Sequence, residues 1–137
     1  MALPNGAGGY QLGDGNLSET VMGYAPAPAT ATVTATLTAV QVTSGILLGS
    51  PGTSAASYTL PTVADLEASA LSSAKVGSTF DLSVINVDGS SSGVITLVAG
   101  TGWTLVGLAT VVATAGTAQL FRARKTSATT WTLYRIA

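Results

Sequence analysis

Between Thr30 and Leu37 polar and apolar residues alternate without a break: threonine holds positions 30, 32, 34 and 36, and Ala31, Val33, Ala35 and Leu37 sit between them. A period of two puts the two sets on opposite faces of a strand, one wet and one buried. Thr38-Ala39-Val40-Gln41 then has the spacing of a capping box, which predicts one helical turn before a strand at 44–49. The turn Ser50-Pro51-Gly52 and a short strand at 56–60 follow. Pro61-Thr62-Val63-Ala64-Asp65 opens the single sustained helix, 62–74. Thr62 is its N-cap, Asp65 and Glu67 lie in the positive first turns, and Lys75 lies near the negative end.

Strand pattern returns after Gly77. Residues 78–87 set Phe80, Leu82 and Val84 on one face and stop at the turn sequence 88–93. Segments 94–99, 103–107, 109–114, 118–125 and 130–136 complete the series. Regular turn signals, with no alternation of strands and long helices, predict an all-β, antiparallel β-sandwich of about eight strands with one short helix.

Upstream of this body, residues 1–24 contain Gly6, Gly8, Gly9, Gly13, Gly15 and Gly23 and show neither period, so the arm alone is expected to be disordered. Order there requires that it be pinned against its own domain or a neighbouring subunit. Ala25-Pro26-Ala27-Pro28-Ala29 reads as a short semi-extended spacer. The chain divides into an extended N-terminal arm with spacer, 1–29, and a sandwich body, 30–137.

Composition narrows the chemistry. Ala (22), Thr (21), Gly (16) and Ser (14) fill 73 of 137 positions and aromatics only eight, so the core is thin and built from small side chains. Charged residues are 8% of the chain, against about 25% in an average soluble protein, which leaves hydroxyls and backbone to solvate the surface. Absence of His and Cys removes imidazole bases, thiolates, their metal sites and disulfides. No enzyme activity and no cofactor are expected. Residues 1–74 carry only the acidic Asp14, Glu19, Asp65 and Glu67, whereas Arg122, Arg124, Lys125 and Arg135 crowd the last sixteen positions, a polarity suited to layered contacts. Five cations at a pI near 4.9 argue against a nucleic-acid partner. The start lacks a secretory signal and no apolar run reaches membrane-spanning length, so the expectation is a soluble product of a reducing cytosol with no membrane partner.

Several short motifs reduce to simpler readings. Asp14-Gly15-Asn16-Leu17-Ser18 opens like a calcium loop, but Glu19 and Ala25 stand where that loop needs Gly and Glu. Asn16-Leu17-Ser18 spells a glycosylation sequon without a secretory route. Gly45-Ile46-Leu47-Leu48-Gly49-Ser50 lacks the spacing and the Lys of a phosphate loop. Asp65 and Glu67, two apart on a helix, do not face each other, and helix-start charge explains them. Asp81 belongs to the outer face of its strand. Arg122 and Arg124 share a strand face, and Arg135 on a paired strand extends them into a basic stripe. That stripe is read either as a solvated face with ion pairs to Asp81 or Asp88, or as a subunit contact. Trp103 is expected in the core.

The body phrases Leu37-Thr38-Ala39-Val40-Gln41, Tyr58-Thr59-Leu60-Pro61-Thr62, Val76-Gly77-Ser78-Thr79-Phe80-Asp81-Leu82, Val84-Ile85-Asn86, Val98-Ala99-Gly100-Thr101-Gly102-Trp103-Thr104-Leu105-Val106-Gly107, Phe121-Arg122-Ala123-Arg124-Lys125-Thr126-Ser127 and Thr132-Leu133-Tyr134-Arg135-Ile136 resemble capsid decoration (cement) proteins of tailed bacteriophages, cyanophages among them. In the arm, Leu3-Pro4, Gly6, Tyr10-Gln11 and Gly13-Asp14-Gly15-Asn16-Leu17-Ser18-Glu19 are similar to starts of such virion proteins. The resemblance implies a jelly-roll-like sandwich, commonly a homotrimer, on the outer capsid surface where major capsid subunits meet. It implies partnership with the major capsid protein and with copies of itself, and no catalysis. On this reading the contact residues are Leu3, Pro4, Tyr10, Gln11, Leu12, Asp14, Asn16 and Leu17 of the arm, with Arg122, Arg124 and Arg135 of the body. The competing reading is a head-fibre or tail-spike module that binds a host receptor or carbohydrate through Trp103, Trp131, Tyr58 and Asn86. Rings lining an open groove favour the sugar reading, and buried rings favour cement.

Overall fold

The structure is a computed structural model that describes residues 23–88, 93–112 and 117–137. Ten strands occur among these residues: β1 (Ala29–Ala31), β2 (Ala35–Thr36), β3 (Ile46–Gly49), β4 (Ala56–Thr59), β5 (Thr79–Asn86), β6 (Ile95–Val98), β7 (Trp103–Val106), β8 (Thr110–Val111), β9 (Thr117–Lys125) and β10 (Trp131–Arg135). Helices α1 (Ala39–Thr43) and α2 (Val63–Ser69) interrupt them. The fold is mostly β, in two sheets. Sheet A has the order β1-β3-β5-β9-β10-β7, and sheet B has the order β2-β4-β6-β8.

The expected antiparallel, jelly-roll-like order is corrected by the pairing. Five of the eight strand pairs are parallel: β1–β3, β3–β5, β2–β4, β4–β6 and β7–β10. From β1 to β8 the chain alternates sheets, odd strands in A and even strands in B, and through β6 each strand pairs in parallel with the strand two before or after it. The result is a coil of three turns. Two of them, β1-β2-α1 and β3-β4-α2, return to sheet A through a helix. Only β5–β9, β9–β10 and β6–β8 are antiparallel, and they close the coil at its C-terminal side. Turn signals show where a chain bends but not which sheet it bends into, which is why the pattern alone suggested hairpins.

Local chemistry explains the corners. The strand expected at 30–37 is two strands, because Thr32-Val33-Thr34 carries the chain from sheet A to sheet B, and the Tyr58 hydroxyl reaches the Ala31 and Thr32 carbonyls across that bend (3.1 and 2.7 Å). α1 has the anticipated capping box: Gln41 N–H donates to Thr38 Oγ1 (3.2 Å) and Thr38 N–H donates to Gln41 Oε1 (2.8 Å). α2 starts at its Thr62 cap but stops at Ser69 instead of 74, so two short helices rather than one occur among the described residues. Its Ala70 N–H closes the last turn on the Leu66 carbonyl, and a turn, not a further helical turn, reaches Lys75.

A single core lies between the sheets. Leu47, Tyr58, Leu82, Val84, Ile95, Leu97, Phe121, Trp131 and Leu133 meet there, and Val42 and Leu66 close it from the helices. Gly49 is required for packing, not for turning: a Cβ there would collide with Ile95 and the Tyr58 ring. Gly102 is required for both, with φ +89° and the Val63 side chain and Thr129 carbonyl about its Cα.

Candidate functional site

Register places the basic residues. Asp81 on β5, Arg122 on β9 and Tyr134 on β10 stand opposite one another, as do Thr79, Arg124 and Thr132. Arg122 grips Asp81 through two bonds, Nε to Oδ1 (2.8 Å) and Nη2 to Oδ2 (3.0 Å). That pairing holds the Asp81 carboxyl below the usual carboxylate range and raises the guanidinium. Asp81 therefore occupies the outer face as anticipated. Asp88 instead accepts the Gly52 N–H and fastens a loop. The three-membered stripe is corrected: Arg135 stands opposite Phe121, whose parity is inward, so it leaves the Arg122/Arg124 face and donates weakly to the Leu108 carbonyl (3.5 Å). The remaining contact residues, Leu3, Pro4, Tyr10, Gln11, Leu12, Asp14, Asn16 and Leu17, lie outside the described residues.

The rings proposed for a sugar groove are in the core. Tyr58 is fully buried, Trp131 is 1% exposed and Trp103 is 7% exposed. Trp103 Nε1 donates to the Pro61 carbonyl (2.8 Å), and the two indoles lie 6.1 Å apart by centroid. Burial, with the charge of Asp88 second, pushes the Tyr58 hydroxyl pKa up. Asn86 is buried as well: Nδ2 donates to the carbonyls of Gly93 (2.7 Å) and Val112 (3.2 Å), while Oδ1 accepts the Asp88 N–H (3.2 Å). This side chain clasps the ends of β5, β6 and β8.

One cluster escaped the sequence reading. Lys125 ends β9 facing inward and, 8% exposed at its side chain, pairs with Glu67 of α2. The same Glu67 Oε1 accepts the Trp131 Nε1 hydrogen (2.9 Å). Hydrogen bonds from Lys125 and Trp131 hold the Glu67 carboxyl below its ordinary range. Glu67 is thus a tether between α2 and sheet A, not simply helix-start charge. The available signal was the alternation Phe121, Ala123, Lys125, which puts a lysine on the apolar parity.

At the C-terminal ends of β2, β4 and β6 the loops and helices leave an open cleft of about 780 Å³. Hydroxyls line it, chiefly Thr36, Thr38, Thr59, Thr62, Ser69 and Thr101, and Asp65 is the one titratable side chain among its lining residues. No group of three or more carboxylates suited to a metal ion occurs among the described residues. No described helix is long and apolar enough to cross a membrane. Comparison with protein-family models, with curated proteins and with solved structures finds no match.

Proposed function

We propose that this chain is a structural virion protein, a cement that binds the outer surface of a tailed-phage head at junctions of major capsid subunits and stabilises the shell. The observation that favours this reading over a sugar-binding module is the burial of Tyr58, Trp103, Trp131 and Asn86, which leaves none of the four to meet a ligand. A chain with only 8% charged residues, and two ion pairs among the described ones, also suits many weak, repeated contacts, whose sum gives avidity without any single strong site. Its partners on this reading are the major capsid protein and further copies of the chain. The residues assigned to shell or subunit contact are those of the arm, Leu3, Pro4, Tyr10, Gln11, Leu12, Asp14, Asn16 and Leu17, together with Arg122 and Arg124.

The test adds purified protein to undecorated phage capsids and measures bound mass by sedimentation. Saturation at a symmetric ratio, with capsids then surviving heat or low salt longer, is the expected result. Deleting residues 2–24 should abolish that binding. Absence of binding by the full chain refutes the cement role and returns the host-recognition module to first place.

A further inference from the structure

The outward rows of the two sheets differ in chemistry. Sheet B presents hydroxyls: Thr36 and Thr59 stand in one row, and Ser57, Thr96 and Thr110 in the next, with Val98 the apolar exception within the strands. Sheet A presents Ile46, Ser83 and Leu120 in one row and Leu48, Ile85 and Ala118 in the next. Ile136 extends the first of these, since its N–H donates to the Leu120 carbonyl just past the end of β10. Ile46 is 40% exposed and Ile136 51%. β3 reads Ile46-Leu47-Leu48, apolar on both faces, which is the usual mark of a strand covered on both sides.

Beyond those rows the face of sheet A turns charged. Arg122 engages Asp81 across β9 and β5, and Arg124 has no carboxylate opposite it in either neighbouring strand, so two guanidiniums against one carboxylate leave a net +1. The chain enters sheet A at β1, the edge strand beside the apolar rows. Residues 23–28 run exposed up to Ala29, and 22 residues precede Gly23.

We propose that the N-terminal arm of the same chain, residues 1–22, covers the outer face of sheet A, with Tyr10, Leu12, Leu17, Val21 and Met22 over the apolar rows and Asp14 and Glu19 toward the arginines. Three observations select this occupant over a separate molecule. The first is reach. Residues 23–28 at about 3.3 Å each span roughly 20 Å, and β9 lies three strand spacings of about 4.8 Å from β1, so the arm begins within reach of every apolar row. A tether that short holds the arm at roughly millimolar local concentration, which a separate partner must supply from solution. The second is charge. Asp14 and Glu19 are the only charged side chains in residues 1–22, and both complement a face of net +1, whereas an identical face would repel it. The third is composition. A glycine-rich segment with five large apolar side chains and no helix or strand period has no core of its own in which to bury them, and the apolar rows supply one. The inference concerns the free chain and does not depend on the cement reading; a shell that takes Tyr10, Leu12 and Leu17 would lift the arm off this face.

The full chain has no cysteine, so Ser18→Cys carries a single nitroxide label, and the amide resonances of the rest of the chain report their distance from it. The expected result is that residues 46–48, 83–85 and 118–120 lose more than half of their intensity relative to the reduced label, while residues 57, 96 and 110 of sheet B keep theirs. Adding Ile46→Lys, or Ser83→Glu in the same row, should restore the sheet A signals, and circular dichroism with a thermal melt shows which of the two variants folds. A mixture of nitroxide-labelled chain without isotope and isotope-enriched chain without nitroxide should show no loss, because the arm acts within its own chain. Loss in that mixture would hand the face to the arm of another copy and overturn the inference. Equal intensities on the two sheets overturn it as well, as does a sheet A loss that a folded variant leaves unchanged.

Discussion

Asn86 shows how one buried amide can hold three strand ends. Its two donated bonds end on main-chain carbonyls beside β6 and β8, the one to Gly93 buried and the one to Val112 partly so. Asn86→Ala should therefore cost about 2–4 kcal/mol, the loss of two bonds plus the exposure of their acceptors to an apolar cavity. A drop in the denaturation midpoint with unchanged slope would register it, and a change below about 0.5 kcal/mol would show that the clasp is dispensable. Gly102→Ala meets both a positive φ and contacts of 2.8 Å to Val63 Cγ2 and 3.0 Å to the Thr129 carbonyl oxygen. A loss of about 1–3 kcal/mol in the same assay is expected.

Acid should act through Glu67 more than through Asp81. Both carboxyls are held below their ordinary range, so at low pH the unfolded chain binds more protons than the folded one. Their stabilisation is complete above the unfolded carboxylate range of roughly pH 4 and is lost as pH falls through the lower folded values. Asp81 is 44% exposed at its side chain and screened, so its share is small. Between pH 6 and pH 3, Glu67→Gln should flatten the fall in melting temperature, whereas Asp81→Asn should leave the curve near wild type. Equal acid limbs for wild type and Glu67→Gln would count against the tether.

At the scale of elements, two caps and a tether set the ends of the coil. Thr38 and Thr62 each accept a main-chain N–H where the chain leaves sheet B, and each helix buries one face, Ala39 with Val42 and Val63 with Leu66. Isolated helices of five and seven residues have no stability of their own, so tertiary packing holds them and the caps trim the cost of their ends. Thr62→Ala should lower stability by about 1 kcal/mol, and Thr38→Ala by the same order, since Gln41 loses the reciprocal half of its box. Additive losses in the double variant, measured by urea melts, are expected for two caps that share no hydrogen-bond partner.

For the molecule as a whole, the uneven lengths of the turns matter. Ala29 pairs with Leu47 but Ile46 with Ser83, and Ala35 with Tyr58 but Ala56 with Ile95, so the second turn of the coil is about twice as long as the first. If copies of the chain associate, as the cement reading implies, the melting temperature should rise with protein concentration, because an assembly that binds only folded chains stabilises them by mass action; a melt independent of concentration would count against that partnership.

Most strand positions, both caps, the outward Asp81 and the burial of Trp103 were legible in the residues, because alternation and capping are local and period-bound. Sheet identity, parallel pairing and the Glu67–Lys125–Trp131 cluster were not. They join residues tens of positions apart, and no period marks them, since unequal loops hide the repeat of the coil. Whether Arg135 continued the basic stripe depended on a single residue of register, which moves a side chain to the other face of a sheet. The sequence by itself determined which segments extend and where they bend. Tertiary structure alone decided which sheet each segment joined, because that choice is settled by the shared burial of distant apolar faces and not by any preference within the segment.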